Sequence, residues 1–226
     1  MAKKLYLSAA AHANDNPTKC PNKCSENTHC NAYMDIVEVR MKELGVDVKR
    51  GYRLLTGELA MEKRVAEANK WGADLYYVAH TNATGKAGVK AHYTMTLCHN
   101  DAGSKKKANV IGKYRKCITP HKVVARGDLY EINATKMTCL YDELFFHDNA
   151  EDCAWFHNGG MEKMAEETVQ ALCELLKVTY EKPDDGVRYK VSATAKSFKT
   201  EKEANTALKK LKNAGFTGKI TKYKEK

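Results

Sequence analysis

The 226-residue chain has no apolar run long enough to span a bilayer, which takes about 20 predominantly apolar residues. Its first eight residues, Met-Ala-Lys-Lys-Leu-Tyr-Leu-Ser, are basic but do not lead into the apolar core of a secretion signal. We therefore expect no integral membrane segment, and we expect the chain to stay in the cytoplasm until something else releases it. Hydrophobic residues still make up 43% of the chain, which is enough for a sizeable core.

Acidic residues are scarce near the C-terminus. Residues 187–226 hold 12 Lys+Arg and 3 Asp+Glu, whereas the other residues hold 26 and 25, so the tail carries most of the net charge of +10. A basic tail favours polyanionic partners such as a cell wall, an anionic membrane face or nucleic acid. We expect no nucleic acid, because the tail has few aromatic residues and lacks the stacking pattern of RNA-binding sheets.

The eight cysteines lack the spacing of a complete metal site. Three lie in apolar runs and are predicted to be buried thiols: Cys98, Cys139 and Cys173. Three others cluster beside a Pro/Asn-rich loop: Cys20, Cys24 and Cys30. Their Cys-x3-Cys-x5-Cys spacing lacks a good fourth ligand, so a zinc knuckle is the less favoured interpretation. Without a secretion signal, a disulfide framework is not expected.

Apolar periodicity predicts an α/β fold. Short apolar or alternating segments predict strands at 4–8, 46–50, 73–82, 90–97, 128–132 (a short edge strand) and 138–146. Apolar residues at i, i+3, i+4 spacing predict helices at 28–44, 57–71, 102–117, 150–157 and 161–176. This order implies a mostly parallel twisted sheet with helices on both faces.

A linker-like stretch divides the chain. Residues 179–186, Thr-Tyr-Glu-Lys-Pro-Asp-Asp-Gly, separate a predicted domain at 1–178 from a smaller one at 187–226. The smaller domain is predicted to be one β-α-β unit, with its elements at 187–193, 201–214 and 216–223. Because so short a unit buries little surface, we expect it to dock or to pair with a second copy, giving a homodimer.

Two predicted strands each deliver a histidine into a polar loop. His12 follows the first strand, and His80 stands near the end of the third, before the Gly-rich segment Ala83–Gly88. Sites of α/β proteins lie at the carboxyl ends of the strands. Together with Glu26, these histidines would supply the two imidazoles and one carboxylate of a catalytic zinc site with an open fourth position. Zinc lowers the pKa of bound water towards ~7, so hydroxide exists at neutral pH.

Glu143 interrupts an otherwise apolar strand. A carboxylate is costly there unless it is paired or functional, and beside an activated water it would act as a base or acid. The residues alone leave other interpretations open. His80 could be a core histidine, His12 a surface residue, and Glu26 a helix-entry acid favoured by the macrodipole, while Glu143 could pair with a lysine.

Four segments together resemble the zinc-dependent N-acetylmuramoyl-L-alanine amidases, cell-wall hydrolases of phage endolysins and bacterial autolysins. They are, in chain order, a strand with Ser8-Ala-Ala-Ala-His12, Glu26 with Cys30-Asn31, Ala79-His80-Thr81-Asn82-Ala83, and Asp142-Glu143-Leu144-Phe145-Phe146-His147-Asp148-Asn149. The resemblance covers residues 3–178. It implies that His12, Glu26 and His80 bind zinc and that Glu143 is the catalytic acid/base. It also implies the substrate, which is the amide between the lactyl group of N-acetylmuramic acid and L-alanine in peptidoglycan.

Two positions depart from the pattern of that family. The first histidine usually sits in a His-Gly-Gly loop, whereas here it is flanked by alanines, Ala11-His12-Ala13. The glutamate usually lies four residues before the helix asparagine, whereas Glu26 lies five before Asn31. His29 therefore stays an alternative to Glu26 as a ligand. A non-catalytic peptidoglycan-binding protein with a degenerate amidase domain stays an alternative to the enzyme.

The tail resembles a SPOR-like peptidoglycan-binding repeat. The resemblance rests on Tyr189-Lys190-Val191, a helix containing Leu208 and Leu211, and Gly215-Phe216. A wall-binding tail would raise the effective concentration of a wall-cutting domain on an insoluble substrate. With the missing secretion signal, this favours a phage endolysin that acts on the wall after release; a lysis-linked bacterial amidase is the alternative.

Overall fold

The computed structural model describes residues 2–12, 25–51, 58–86, 90–183 and 200–213. Contacts divide the chain into two compact units, Met1–Lys182 and Pro183–Lys226. This division falls inside the predicted linker 179–186. The assignment of the second unit as a wall-binding repeat stays a prediction.

The first unit alternates strands and helices. Its strands are β1 (Lys4–Ala9), β2 (Asp47–Arg50), β3 (Leu75–Asn82), β4 (Thr94–Cys98), β5 (His121–Ala125) and β6 (Cys139–Phe146). Its helices are α1 (Glu26–Glu43), α2 (Glu58–Trp71), α3 (Ala102–Tyr114), α4 (Tyr130–Ala134), α5 (Ala150–Trp155) and α6 (Met161–Leu176). A π-helical turn at Phe156–Gly160 joins α5 to α6, and Gly159 allows this kink because its φ is +90°.

Within the described residues, six strands form one sheet in the order β2-β1-β3-β6-β4-β5. The first four strands of this order are parallel to one another. β4 is antiparallel to β6, and β5 is parallel to β4. The predicted α/β class with a mostly parallel sheet is therefore confirmed. Because β1, β3 and β6 are parallel neighbours, their carboxyl ends meet at one edge of the sheet.

Alternate strand residues point to opposite faces and enter two separate cores. Leu5 and Tyr77 pack with residues of α1, α3 and α6. Tyr6, Tyr76 and Val78 pack on the opposite side, with residues of α2 and α4. We call this second side the α2/α4 face. By the same alternation, His80 and Glu143 belong to the α2/α4 face.

The edge of the sheet differs from the prediction. The predicted edge strand at 128–132 is wrong, because Tyr130–Ala134 form the helix α4, which buries Glu131 and Ile132. The edge strand is instead β5, which the sequence pattern did not predict. The strand predicted at 90–97 begins only at Thr94.

A buried charged cluster crosses the core on the other side of the sheet. The Arg115 guanidinium is almost fully buried and donates to the Asp142 carboxylate, to Thr168 Oγ1 (2.9 Å) and to the Met164 carbonyl (3.1 Å). Asp142 also accepts from the Tyr77 hydroxyl at 2.6 Å. These bonds tie β3, β6 and α6 to the segment after α3, and they satisfy charges that would otherwise oppose burial.

The described cysteines are free thiols. They are Cys30, Cys98, Cys117, Cys139, Cys153 and Cys173. The predicted burial of Cys98, Cys139 and Cys173 is confirmed. Cys20 and Cys24 lie outside the described residues.

In the second unit the described element is α7 (Glu201–Asn213), which matches the helix predicted at 201–214. The strands predicted at 187–193 and 216–223 lie outside the described residues. Across the part of the chain that the structure describes, no helix is long and apolar enough to cross a membrane.

Candidate active site

The start of α1 is fixed against the end of β1. Ser25 caps the helix by accepting the Thr28 amide at 3.3 Å. The Asn27 side-chain amide donates to the Ala10 carbonyl at 2.6 Å, and the Ala10 amide continues the β1–β3 ladder by donating to the Ala79 carbonyl at 2.9 Å. These bonds place Glu26, the first residue of α1, beside the carboxyl ends of β1 and β3.

Three sequence-predicted residues converge at this edge. His12, Glu26 and His80 each offer a ligand atom, and these atoms all lie within 4.8 Å of one another. His80 Nδ1 lies 3.0 Å from Glu26 Oε1, and His12 Nε2 lies 3.6 Å from Glu26 Oε2. Glu26 and His80 are buried, whereas the His12 side chain is 50% exposed, so the group opens to solvent on the His12 side.

The electrostatics of the group centre on Glu26. Burial alone would raise the pKa of Glu26, but the hydrogen bond with His80, the charge of His80 and the Thr81 amide at 2.8 Å lower it to about 2. Burial likewise opposes the charged form of His80, but the hydrogen bond and charge of Glu26 raise its pKa. Glu26 is therefore an anion at neutral pH, and it attracts either a proton on His80 or a cation that replaces that proton.

The donor set fits a zinc ion. Zinc takes imidazole and carboxylate at about 2.0–2.2 Å, which places two ligands of a tetrahedral site about 3.4 Å apart. The nitrogen–oxygen distances of 3.0 Å and 3.6 Å bracket that value.

Glu143 lies next to His80 in the sheet. The two residues are paired in register between β3 and β6 and share the α2/α4 face. Glu143 Oε2 is buried and has no hydrogen-bond partner within the described part of the chain. Burial raises the pKa of Glu143 to about 7, against the opposing charge of His80. A carboxyl group of that pKa can exchange a proton near neutral pH.

Three further residues complete the site, and no role was predicted for them from the sequence, although Thr81 and His147 lie in the segments that resemble the amidases. The Thr81 amide binds Glu26, and Thr81 Oγ1 lies 2.9 Å from His147 Nδ1. The Tyr141 ring stacks on His80 with centroids 4.3 Å apart. The spacing along the strand could have indicated Tyr141, since it lies two residues before Glu143 and so shares its face of the strand.

His29, the alternative ligand, lies elsewhere. Its ring packs against Phe145 and Phe156, and its Nε2 is 3.1 Å from Nε2 of His157. Among the described residues, the group able to hold a metal contains Glu26 and not His29.

The fold is similar to those of solved cell-wall amidases. The catalytic domain of CwlV, an N-acetylmuramoyl-L-alanine amidase from Bacillus (Paenibacillus) polymyxa var. colistinus, aligns with a TM-score of 0.68 and 22% identity over 78% of this chain and 99% of that one. An N-acetylmuramoyl-L-alanine amidase from Clostridium difficile 630 aligns with a TM-score of 0.68 and 19% identity over 78% and 97%. The catalytic domain of the CD27L endolysin targeting Clostridia difficile aligns with a TM-score of 0.60 and 17% identity over 79% and 99%.

The sequence itself also matches a family. No curated protein is significantly similar in sequence. Residues 9–174, well over half of the chain, match the Amidase_3 family, described as N-acetylmuramoyl-L-alanine amidase. This match spans His12, Glu26, His80 and Glu143. The chain therefore belongs to the N-acetylmuramoyl-L-alanine amidase family, whose enzymes hydrolyse peptidoglycan.

Proposed function

We propose that this amidase depends on zinc and cleaves the amide between the lactyl group of N-acetylmuramic acid and L-alanine. The observation that carries the proposal is the convergence of His12, Glu26 and His80 beside Glu143. The family match supports the substrate. It also favours the enzyme over the alternative of a non-catalytic wall-binding protein.

His12, Glu26 and His80 would hold the zinc ion. Zinc bound there would polarise the scissile carbonyl and make a water molecule more acidic. Glu26 supplies the negative charge that attracts the cation, and its bond from the Thr81 amide fixes one carboxylate oxygen in place. His80 is oriented by the Tyr141 ring and must lose any extra proton before it can bind metal.

Glu143 would move the proton. Its carboxylate takes a proton from the water as the water oxygen bonds to the carbonyl carbon, and it returns that proton to the nitrogen of L-alanine as the carbon–nitrogen bond breaks. One water is consumed, one carboxylic acid and one amine are formed, and Glu143 ends in its starting state. Without metal its pKa is about 7, and a bound cation would lower this pKa, so that the carboxylate needed for the first transfer is present at neutral pH.

Metal removal tests this proposal. Purified peptidoglycan is incubated with the protein alone, with the protein and a chelator, and with the chelated protein after zinc is restored. New amino-terminal L-alanine is measured in each case. We expect release to stop with the chelator and to return with zinc. Undiminished release from fully chelated protein would refute the zinc site.

We also propose that the enzyme is a phage endolysin with a SPOR-like wall-binding tail, acting on the wall after release from the cytoplasm. The likeness of fold to the CD27L endolysin catalytic domain is compatible with this role. If it is correct, bacteria that express the protein in the cytoplasm should lyse only after their membrane is permeabilised. Lysis of intact cells at the same rate would contradict the proposal.

A further inference from the structure

Tyr141 occupies a special position in the sheet. It lies on β6 two residues before Glu143, and β6 pairs it with Val78 of β3 just as it pairs Glu143 with His80. Its ring is nearly parallel to that of His80, at 20° and 4.3 Å between centroids. Its charged neighbours include the carboxyl groups of Glu143, Glu131 and Glu26 and the guanidinium of Arg126. The side chain therefore belongs to the same site as the candidate base.

The Tyr141 hydroxyl differs from those of the other core tyrosines. Four buried tyrosines each donate to a protein acceptor: Tyr6 to Glu67, Tyr33 to Thr168, Tyr76 to Glu131 and Tyr77 to Asp142. The Tyr141 hydroxyl has no such partner among the residues that the structure describes. The residue is partly exposed, and its hydroxyl is not among the fully buried polar atoms.

Packing alone does not account for this hydroxyl. A phenylalanine would stack on His80 equally well, so the stacking does not require the hydroxyl, which is left accessible to a bound molecule. A tyrosine hydroxyl is an O–H donor at neutral pH. As water attacks the scissile amide and Glu143 takes its proton, negative charge develops on the carbonyl oxygen close to the anion Glu26. A neutral donor at this place would stabilise that charge.

We propose that Tyr141 is a catalytic residue whose hydroxyl donates a hydrogen bond to the carbonyl oxygen of the scissile amide. The inference rests on the proposed function of the site. The bond strengthens as the carbonyl oxygen becomes an oxyanion, so it lowers the barrier more than it stabilises bound substrate. No proton is transferred from Tyr141.

The test compares zinc-loaded parent, Tyr141→Phe and Tyr114→Phe on a soluble muramyl peptide. Tyr114 is a matched control, because its hydroxyl bonds Glu174 at the surface and the residue packs with the core on the opposite side of the sheet. Removing one oxyanion donor costs about 10²-fold in kcat. We expect a loss of that size in Tyr141→Phe with KM changed less than about threefold, and parent values in Tyr114→Phe.

Bound zinc is measured on the same samples. The proposal expects equal zinc content and equal zinc affinity in parent and Tyr141→Phe, because the ring that contacts His80 remains. A Tyr141→Phe enzyme with the parent kcat would refute the role of Tyr141 alone. A loss of kcat matched by a loss of zinc would also refute it, since the hydroxyl would then act through the metal site. A zinc-loaded parent that releases no L-alanine would refute the proposed function and this inference together.

Discussion

Glu26→Gln in the metal-free protein measures how much the negative charge of Glu26, the group that would attract a cation, contributes to the free energy of unfolding. The folded state lowers the pKa of Glu26 from 4.5 to about 2. At about 1.4 kcal/mol per pKa unit, this stabilises the folded protein by about 3 kcal/mol above pH 5. Because the pKa is lowered on folding, the stabilisation is lost as the pH falls from about 5 towards 2, and about 2 kcal/mol of it is gone at pH 3.

Glutamine at position 26 can still accept the Thr81 amide, but it carries no charge for His80. We therefore expect the variant to be about 2–3 kcal/mol less stable than the parent at pH 7, with the difference shrinking below about 1 kcal/mol at pH 3. Urea unfolding in the presence of a chelator measures both values.

Glu38→Gln is the matched control, since Glu38 lies on the same helix and pairs with Lys42 at the surface, at 2.6 Å. Its loss should stay within about 0.5 kcal/mol at either pH. The reasoning fails if Glu26→Gln unfolds at the parent's urea concentration at pH 7. It also fails if the difference in the free energy of unfolding between the parent and Glu26→Gln is the same at pH 7 and at pH 3.

Three further predictions concern the base, the core and the tail. Glu143→Gln should keep its zinc but lose about 10²–10⁴-fold in kcat. In the parent, kcat/KM should fall as Glu143 is protonated, at a pH below 7 because a bound cation lowers its pKa of about 7. Metal analysis and a pH profile check this, and a flat profile down to pH 4 would contradict it. Arg115→Met should reduce the free energy of unfolding by about 3–5 kcal/mol in urea, because it leaves Asp142 charged and buried without its cation; a loss below about 1 kcal/mol would contradict this. A chain ending at Lys182 should sediment less with peptidoglycan than the full chain. Binding of the full chain should weaken with added salt. Equal sedimentation of the two chains would show that the tail does not contribute to wall binding.

Sequence periodicity located the elements whose stability comes from a long apolar stripe. The helix α6 was predicted with its observed bounds, Met161–Leu176, because its apolar residues repeat along four turns. The five-residue helix α4 overlaps a segment predicted as a short edge strand, Asp128–Ile132, which is too short to show a helical repeat of apolar residues. There, tertiary contacts decide the outcome: Glu131 accepts from Ser8 and Tyr76, and these bonds link α4 to the sheet.

The candidate site was predictable where polar residues interrupt the ends of apolar strands. His12, His80 and Glu143 all stand out in this way, and parallel topology brings them to one edge of the sheet. The groups that bond to or stack on the site residues were not predictable in the same way. The Thr81 amide is a backbone group that no residue type marks. Tyr141 looks like any strand aromatic until the register shows that its ring lies on His80.

The different protonation behaviour of two carboxylates is a further physical reason to regard this edge as catalytic. Glu26 and Glu143 carry the same chemical group, yet their pKa values are about 2 and about 7. Glu26 is held as an anion by His80 and the Thr81 amide, as a metal ligand must be. Glu143 has a buried oxygen without a partner and gains or loses its proton near neutral pH, as a proton carrier must. A purely structural pair would gain nothing from this separation, whereas hydrolysis requires one group that stays charged and one that cycles.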